Sequence, residues 1–296
     1  MHLSQEVRAY GTLVRLPYVL MLALLCILFV VTFQKGFHEL GLVGVGVITV
    51  ALVTAGSAAI NDYYDRDSDA LTHPERPIPS KHISAAHAAG FSAVAFFVAI
   101  GDSFTINDFA FGIVLVNVGL FVLYARAIKR FSGFVSNLVM GYLGATIVLF
   151  SGAVVFHTIN VTSLSFVGLI AGAAIGLNVL KDVLTLDGDR KVGYPTLAAK
   201  RGIRVAAIVG ALFLLLSAIT SPLPFLVGAV SVAYLFPIAV WGCFVFVTAR
   251  TLLRAPNIEN VTAQLKIFTK YFPYAAGLAG VAYILPFAVW GVHYSV

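Results

Sequence analysis

The sequence is poor in charged residues and contains almost no cysteine. Only 11% of its 296 residues are charged, whereas about 25% of the residues in a soluble domain are charged. A water-soluble fold would lack the polar side chains needed to cover its surface, because 60% of the residues are hydrophobic. The two cysteines, Cys26 and Cys243, both lie in apolar runs, which excludes a disulfide framework and a cysteine metal site. These deficits predict an integral membrane protein.

Apolar runs of the length needed to cross a bilayer, about 20 residues, recur along the whole chain. The nine predicted spans are residues 16–34, 40–60, 85–101, 107–125, 134–156, 162–181, 204–221, 223–247 and 271–292, with a tight turn at Pro222. No separate charge-rich segment interrupts them. We therefore expect an all-α integral membrane fold in which residues 1–296 form a single polytopic domain.

The positive charges predict the orientation of these spans. Of the 19 Lys and Arg residues, only Lys35 lies in a short connection. The other 18 lie on the side of the N-terminus and the longer connections, which the positive-inside rule places in the cytoplasm. We expect a cytoplasmic N-terminus, a C-terminus on the opposite side and an odd number of spans. The net charge of +6 then reflects topology and attraction to membrane lipid or diphosphate, and no nucleic-acid partner is predicted.

Seven of the 13 acidic residues form two clusters at the ends of the second and sixth spans. In the first cluster, Asn61, Asp65 and Asp69 are spaced four residues apart, so on a helix they share an arc of about 80°. Carboxylates on one helix face repel each other, and a bound divalent cation would offset that repulsion. Oxygen ligands of this kind suit Mg²⁺. The alternative is a solvated charge run at the end of a membrane helix.

The second cluster predicts a similar stripe of oxygen ligands. Asn178, Asp182, Thr185 and Asp189 follow one face of a continuing helix, whereas Gly188 is expected to end that helix. The two clusters together could hold two or three Mg²⁺ ions that bridge a diphosphate. Basic residues surround both clusters, and arginine and lysine bind diphosphate oxygens by charge-assisted hydrogen bonds.

Three patches of sequence resemble one known family. They are Asn61, Asp62, Asp65 and Asp69 with Arg76-Pro77-Ile78-Pro79-Ser80; Tyr124 with Lys129-Arg130 and Asn137; and Lys181-Asp182 with Gly188-Asp189-Arg190-Lys191 and Gly193. The first matches the motif Asn-Asp-x-x-Asp-x-x-x-Asp without departure. The chain thus resembles the UbiA superfamily of intramembrane prenyltransferases. Its motifs are nearest to chlorophyll-synthase-like and archaeal geranylgeranylglyceryl phosphate prenyltransferase-like members.

The resemblance implies nine helices around a central cavity open to lipid. It implies an Mg²⁺-dependent transferase that ionises a prenyl diphosphate and passes the prenyl group to a lipophilic acceptor. The expected Mg²⁺ ligands are Asn61, Asp65, Asp69, Asp182 and Asp189, of which Asp65, Asp69 and Asp189 are also expected to be catalytic. The residues expected to bind diphosphate are Arg76, Lys129, Arg130 and Lys181. Further candidates are Asp62, Asn137, Tyr142, Asn178, Thr185 and Asp187.

Two departures from the family pattern leave alternatives open. Many relatives have aspartate where this chain has Thr185, although chlorophyll-synthase-like members also have a hydroxyl residue there, and Asp182 or Asp187 would compensate. Tyr18 replaces an asparagine of many relatives, which alters the acceptor pocket and favours a terpene cyclase of the same fold that needs no acceptor. A third hypothesis, a cation or proton transporter, requires carboxylates near mid-span, whereas these carboxylates lie at span ends.

Overall fold

The computed structural model describes residues 2–36, 39–255 and 259–271, and their regular structure is helical. The helices are α1 (His2–Leu13), α2 (Leu16–Phe33), α3 (Leu40–Thr72), α4 (Ala85–Ile106), α5 (Asp108–Leu123), α6 (Lys129–Phe131), α7 (Gly133–Phe156), α8 (Val161–Leu164), α9 (Val167–Leu184), α10 (Leu186–Val192), α11 (Leu197–Arg201), α12 (Ile203–Thr220), α13 (Leu223–Leu226) and α14 (Leu235–Arg254). A π-helical turn at Tyr124–Ile128 joins α5 to α6, a 3₁₀ turn at Val232–Tyr234 precedes α14, and residues 259–271 are helical.

Within the described residues, eight helical segments are long and apolar enough to cross a bilayer. The all-α integral membrane prediction is confirmed. The first six segments correspond to the first six predicted spans, and the second of them continues well beyond residue 60, to Thr72. The predicted ninth span lies outside the described residues from residue 272 onward.

The predicted boundary between the seventh and eighth spans is wrong. The seventh segment continues past Pro222 to Leu226, and the eighth covers Val232–Arg254 rather than 223–247. The chain turns instead around Gly228, whose φ of 72° lies in the left-handed region that favours glycine. Pro222 only precedes the first turn of α13, where the missing N–H of a proline costs no helical hydrogen bond.

The described chain divides into two compact units. The first contains α1, α2 as far as Val30, α3, α4, α5 and the end of α7. Its centre is the contact of α3 with α4, where Ser92 Oγ donates a hydrogen bond of 2.8 Å to the carbonyl of Gly56. A Cβ at Gly56 would lie 2.9 Å from the Phe96 ring, so the missing side chain permits this close approach. With 33 residues, α3 is about 50 Å long and extends beyond the roughly 30 Å hydrocarbon core.

The second unit is built around the contacts of α12 with α9 and α14. Glycines recur every fourth residue on α9, and a Cβ at Gly172 would lie 2.9 Å from the Phe213 carbonyl oxygen. At the other contact, the Arg204 guanidinium donates to the carbonyls of Leu253 and Ala255, each at 2.7 Å. These contacts hold α9 in the second unit, and its C-terminal end carries Asp182, the first carboxylate of the second acidic cluster.

Candidate active site

The first acidic cluster lies on the last three turns of α3, which continues as one helix past its apolar section. Asp62, Asp65 and Asp69 are only 4%, 7% and 5% exposed, whereas the side chain of Asp67 is 88% exposed. Asn61 Nδ2 donates a hydrogen bond of 2.9 Å to Asp65 Oδ2. One turn of helix therefore brings these two candidate ligands together, as the four-residue spacing predicts.

Two arginines contact the buried carboxylates of this cluster. Arg76 Nη1 donates to Asp69 Oδ2 at 2.7 Å and lies 3.8 Å from Asp62 Oδ1. Arg15 Nη2 donates to the same Asp62 oxygen at 3.0 Å. The side chains of Arg15 and Arg76 remain 45% and 29% exposed. Two guanidinium groups thus contact two of the three buried carboxylates, Asp62 and Asp69, and still present N–H groups to the surroundings.

The segment after α3 holds Arg76 in a tight turn. The Ser80 amide and hydroxyl both donate to the Arg76 carbonyl, at 3.0 and 2.7 Å. Lys81 closes the turn with a φ of 63°, a conformation that costs a non-glycine residue about 1–2 kcal/mol. This turn fixes the backbone at Arg76 directly after the acidic helix.

The second acidic cluster lies across a junction between two helices rather than on one continuous helix. Helix α9 ends at Leu184, Thr185 occupies the junction, and α10 runs from Leu186 to Val192. The predicted termination at Gly188 is wrong, because Gly188 lies inside α10. The helix ends instead at Gly193, whose φ of 72° provides the left-handed cap.

Two carboxylates of this cluster receive hydrogen bonds from neutral donors. Asn137 is 5% exposed, and its Nδ2 donates to Asp182 Oδ2 at 2.8 Å. The Thr185 hydroxyl donates to Asp189 Oδ2 at 3.0 Å. Burial raises the pKa of Asp189 above its usual range, and the hydrogen bond from Thr185 opposes that rise. Thr185, which stands where many relatives have aspartate, thus orients a neighbouring carboxylate.

Lys129 lies beside the end of α10 through a contact with Tyr194. Its Nζ is 6.0 Å from the centre of the Tyr194 ring, and the Tyr194 amide donates to the Asp189 carbonyl at 2.8 Å. Gly133 permits this arrangement, because a Cβ there would lie 2.5 Å from Thr196 Cα. The start of α7 therefore packs directly on the chain that follows α10.

The remaining candidates lie in the second unit at varied depths. Lys181, Arg130 and Asp187 are exposed, Asn178 is half-buried, and Tyr142 on α7 is 41% exposed. Their predicted roles stay predictions.

Sequence reasoning missed three residues that position this chemistry, namely Arg15, Gly133 and Tyr194. Arg15 pairs with a carboxylate 47 residues away, and local periodicity gives no signal for such a contact. Its position immediately before the first span was the available clue. Gly133 lies three residues after Arg130, but its packing depends on a turn more than 60 residues later.

The chain is similar to known proteins over most of its length. Residues 19–272 match the UbiA prenyltransferase family. The digeranylgeranylglyceryl phosphate synthase of Methanosarcina mazei is 35% identical over 201 residues, which are 68% of each chain. The enzyme of the same name from Methanococcus aeolicus is 32% identical over 75% of this chain and 78% of its own.

Solved structures share the fold. One, described as digeranylgeranylglyceryl phosphate synthase in membranes, superposes with a TM-score of 0.79 at 24% identity over 95% of this chain and 98% of its own. A UbiA homolog from Archaeoglobus fulgidus, bound to DMAPP and Mg²⁺, superposes with a TM-score of 0.73 at 17% identity over 95% and 99%. The family match and the sequence relatives establish that this integral membrane chain belongs to the UbiA prenyltransferase family and is a prenyltransferase.

Proposed function

We propose that this prenyltransferase is Mg²⁺-dependent and transfers a prenyl group from a prenyl diphosphate to a lipophilic glyceryl phosphate acceptor. The observation that carries the proposal is the pair of acidic clusters, each of which has a carboxylate oriented by a neighbouring amide. The acceptor class rests on the relatives named digeranylgeranylglyceryl phosphate synthase. The donor class is supported by UbiA homologs bound to DMAPP or GPP together with Mg²⁺.

The donor atoms of both clusters fit Mg²⁺. Carboxylate and amide oxygens are its preferred protein ligands, and it is commonly held by one or two carboxylates while water and substrate phosphates complete the shell. In the described part of the chain, no group of three or more His, Cys, Asp or Glu side chains is placed to hold a metal. The proposal therefore requires diphosphate oxygens or water in the Mg²⁺ shell in addition to the protein ligands. The residues that would hold Mg²⁺ are Asn61, Asp65, Asp69, Asp182 and Asp189.

Basic residues beside the clusters would bind the diphosphate. Arg76 contacts Asp69 and retains further N–H donors for phosphate oxygens, because a guanidinium has five. Lys181 directly precedes Asp182, and Lys129 lies near the end of α10. With Arg130, these residues would hold the leaving group beside the carboxylates.

The proposed chemistry breaks one bond and forms another. The bond between the allylic carbon and the diphosphate oxygen breaks, and its electron pair leaves with the diphosphate. Bound Mg²⁺ supplies Lewis-acid stabilisation of that charge. Asp65, Asp69 and Asp189 position the diphosphate through their ligand oxygens, while Arg76 and Lys181 offset its negative charge. The acceptor hydroxyl oxygen bonds to the allylic carbon, and its proton passes to the released diphosphate.

A product assay tests this proposal. Purified protein would be incubated with Mg²⁺ and C10, C15 or C20 prenyl diphosphate, with and without geranylgeranylglyceryl phosphate, and the organic extract analysed by mass spectrometry. We expect an ether product only when Mg²⁺, donor and acceptor are all present. Intact diphosphate or slowly released prenyl alcohol is expected without acceptor. A cyclised hydrocarbon from the diphosphate alone would overturn the proposal in favour of the terpene cyclase.

A matched pair of variants tests the site assignment. Asp65→Asn removes a buried carboxylate, whereas Asp67→Asn removes an exposed one from the same helix. We expect Asp65→Asn to lower turnover more than about 100-fold, since even indirect supports of a metal commonly contribute 10–100-fold. Asp67→Asn should stay within about twofold of the unsubstituted protein. Unchanged turnover of Asp65→Asn at saturating Mg²⁺ would show that the assignment is wrong.

The topology belongs to the same proposal. Residues 1–296 would form one membrane domain around a lipid-open cavity, with the N-terminus and the basic connections in the cytoplasm and the C-terminus on the opposite side. Reporter fusions at the two termini would test the orientation. Reporters on the same side would contradict an odd number of spans.

A further inference from the structure

A groove of about 400 Å³ lies along α12 and α14 in the second unit, away from both acidic clusters in the sequence. Leu215 of α12 lines it together with Phe246, Ala249 and Leu253 of α14. Arg250 and Arg254, at the C-terminal end of α14, complete the lining. The groove is thus apolar over most of its length and basic where the membrane span ends.

Its dimensions match one chain of a lipid in a single leaflet. Phe246 and Arg254 are eight residues apart on one helix, which corresponds to about 12 Å at 1.5 Å per residue. One leaflet contributes about 15 Å of hydrocarbon. Phe246 is 60% exposed and Leu253 is 37% exposed, so apolar side chains are available to a lipid tail. The four-residue spacing of Arg250 and Arg254 places both guanidinium groups on the same helix face.

Two arginines, Arg250 and Arg254, form the basic end of the groove. Among the residues that the structure describes, no carboxylate forms an ion pair with Arg250 or Arg254. A third arginine, Arg204, lies at the same helix end and donates to the carbonyls of Leu253 and Ala255. A ligand that combines an anionic head with an apolar tail is complementary to this surface.

We propose that the groove binds one anionic phospholipid, with an acyl or isoprenoid chain along Leu215 and Phe246 and its phosphate between Arg250 and Arg254. A zwitterionic lipid offers the same chain but adds a cationic group near the two guanidiniums. The site therefore selects lipids by charge. It is separate from the residues assigned to prenyl transfer, so it stands or fails independently of the proposed reaction.

Fluorescence quenching by brominated lipid tests the site directly. Phe246→Trp places an indole in the groove, while Trp241 and Trp290 give the same background in every variant. The protein would be reconstituted in phosphatidylcholine vesicles that contain a minor fraction of brominated phosphatidylglycerol or brominated phosphatidylcholine. One arginine beside an anionic headgroup contributes roughly fivefold in binding. We therefore expect about 25-fold stronger association of the anionic lipid.

Charge-matched variants locate the effect. In the Phe246→Trp protein, the double substitution Arg250→Gln with Arg254→Gln should abolish the preference for the anionic lipid, so that the two brominated lipids associate about equally. Lys200→Gln with Arg201→Gln, which removes two exposed charges from α11, should leave it unchanged. Native mass spectrometry of protein that retains Phe246 gives the same comparison if Phe246→Trp does not fold.

Three outcomes would overturn the proposal. The first is equal quenching by both brominated lipids, and the second is an equal loss of preference in the α11 control. The third is displacement of the brominated lipid by stoichiometric farnesyl diphosphate, which would make the groove a substrate site. None of these readouts depends on catalytic activity.

Discussion

Asp62→Asn is expected to weaken the binding of prenyl diphosphate and to leave the Mg²⁺ dependence nearly unchanged. The reason is that the Asp62 carboxylate contacts two arginines, Arg15 at 3.0 Å and Arg76 at 3.8 Å. Asparagine keeps the size of the side chain and one oxygen acceptor but loses the charge. We therefore expect Asp62 to act as a positioning residue for the two guanidiniums rather than as a metal ligand.

The expected loss of binding free energy depends on how deeply Asp62 and the two arginines are buried. A hydrogen bond to a charged group contributes about 1.5–3 kcal/mol, and Asp62 is only 4% exposed. The side chains of Arg15 and Arg76 are 45% and 29% exposed, so water replaces part of the lost interaction. The expected loss is about 1–2 kcal/mol, which corresponds to roughly a 5- to 30-fold rise in the KM for prenyl diphosphate.

A double-mutant cycle measures this coupling. Asp62→Asn, Arg15→Gln and the double variant should give a coupling energy of about 1 kcal/mol. Arg66→Gln is the control, because Arg66 lies over the Tyr63 ring at 4.9 Å, and its cycle should show additivity. Asp65→Asn should raise the Mg²⁺ concentration for half-maximal activity. A similar rise in Asp62→Asn, or additivity with Arg15→Gln, would refute the reasoning.

Three further predictions concern the second unit. Asn137→Ala removes the 2.8 Å hydrogen bond that orients the Asp182 carboxylate. Because an unsatisfied buried group costs about 1–3 kcal/mol, we expect the Mg²⁺ concentration for half-maximal activity to rise at least about fivefold. Thr185→Val removes the hydrogen bond that opposes the raised pKa of Asp189, so the acidic limb of the pH–rate profile should move to higher pH, whereas Thr185→Ser should restore it. Gly172→Leu would place side-chain atoms against the backbone of α12, whose Phe213 carbonyl oxygen lies only 2.9 Å from the Cβ position. Because overpacking costs about 1–3 kcal/mol, the Tm in detergent should fall by several degrees. Gly119→Leu, which meets nothing within 4 Å, should leave the Tm unchanged, and equal shifts in both glycine variants would contradict the packing argument.

Helical periodicity correctly predicted that the side chains of the first acidic cluster share one helix face, because the whole cluster lies on a single helix, α3. The four-residue spacing from Asn61 to Asp65 needs only that α3 continue past its apolar section, and it does so to Thr72. The apolar spans were predictable for the same reason. Bilayer thickness fixes their length, and each span satisfies its backbone hydrogen bonds internally.

Interruptions of helices were harder to predict, because glycine adopts several backbone conformations and proline is compatible with the start of a helix as well as with a break. Gly188 remains helical while Gly193 adopts the left-handed cap, and both residues lie in the same short polar stretch. Likewise, the chain turns at Gly228 rather than at Pro222. Packing against the rest of the fold selects between such sites, and that packing is not encoded in a local window.

A common arrangement indicates a role for Thr185, which the second cluster carries where many relatives have aspartate. Each of three candidate metal-binding carboxylates accepts a hydrogen bond from a neutral side chain. These pairs are Asn61 with Asp65, Asn137 with Asp182, and Thr185 with Asp189. A neutral donor fixes the direction of one carboxylate oxygen without neutralising the charge of the carboxylate. An aspartate at position 185 would add a ligand but would also add repulsion beside Asp189, a carboxylate whose ionised form burial already disfavours. The threonine therefore exchanges one potential ligand for better orientation and easier ionisation of its neighbour, which is why we expect Thr185→Ser to preserve activity and Thr185→Val to lose it at low pH.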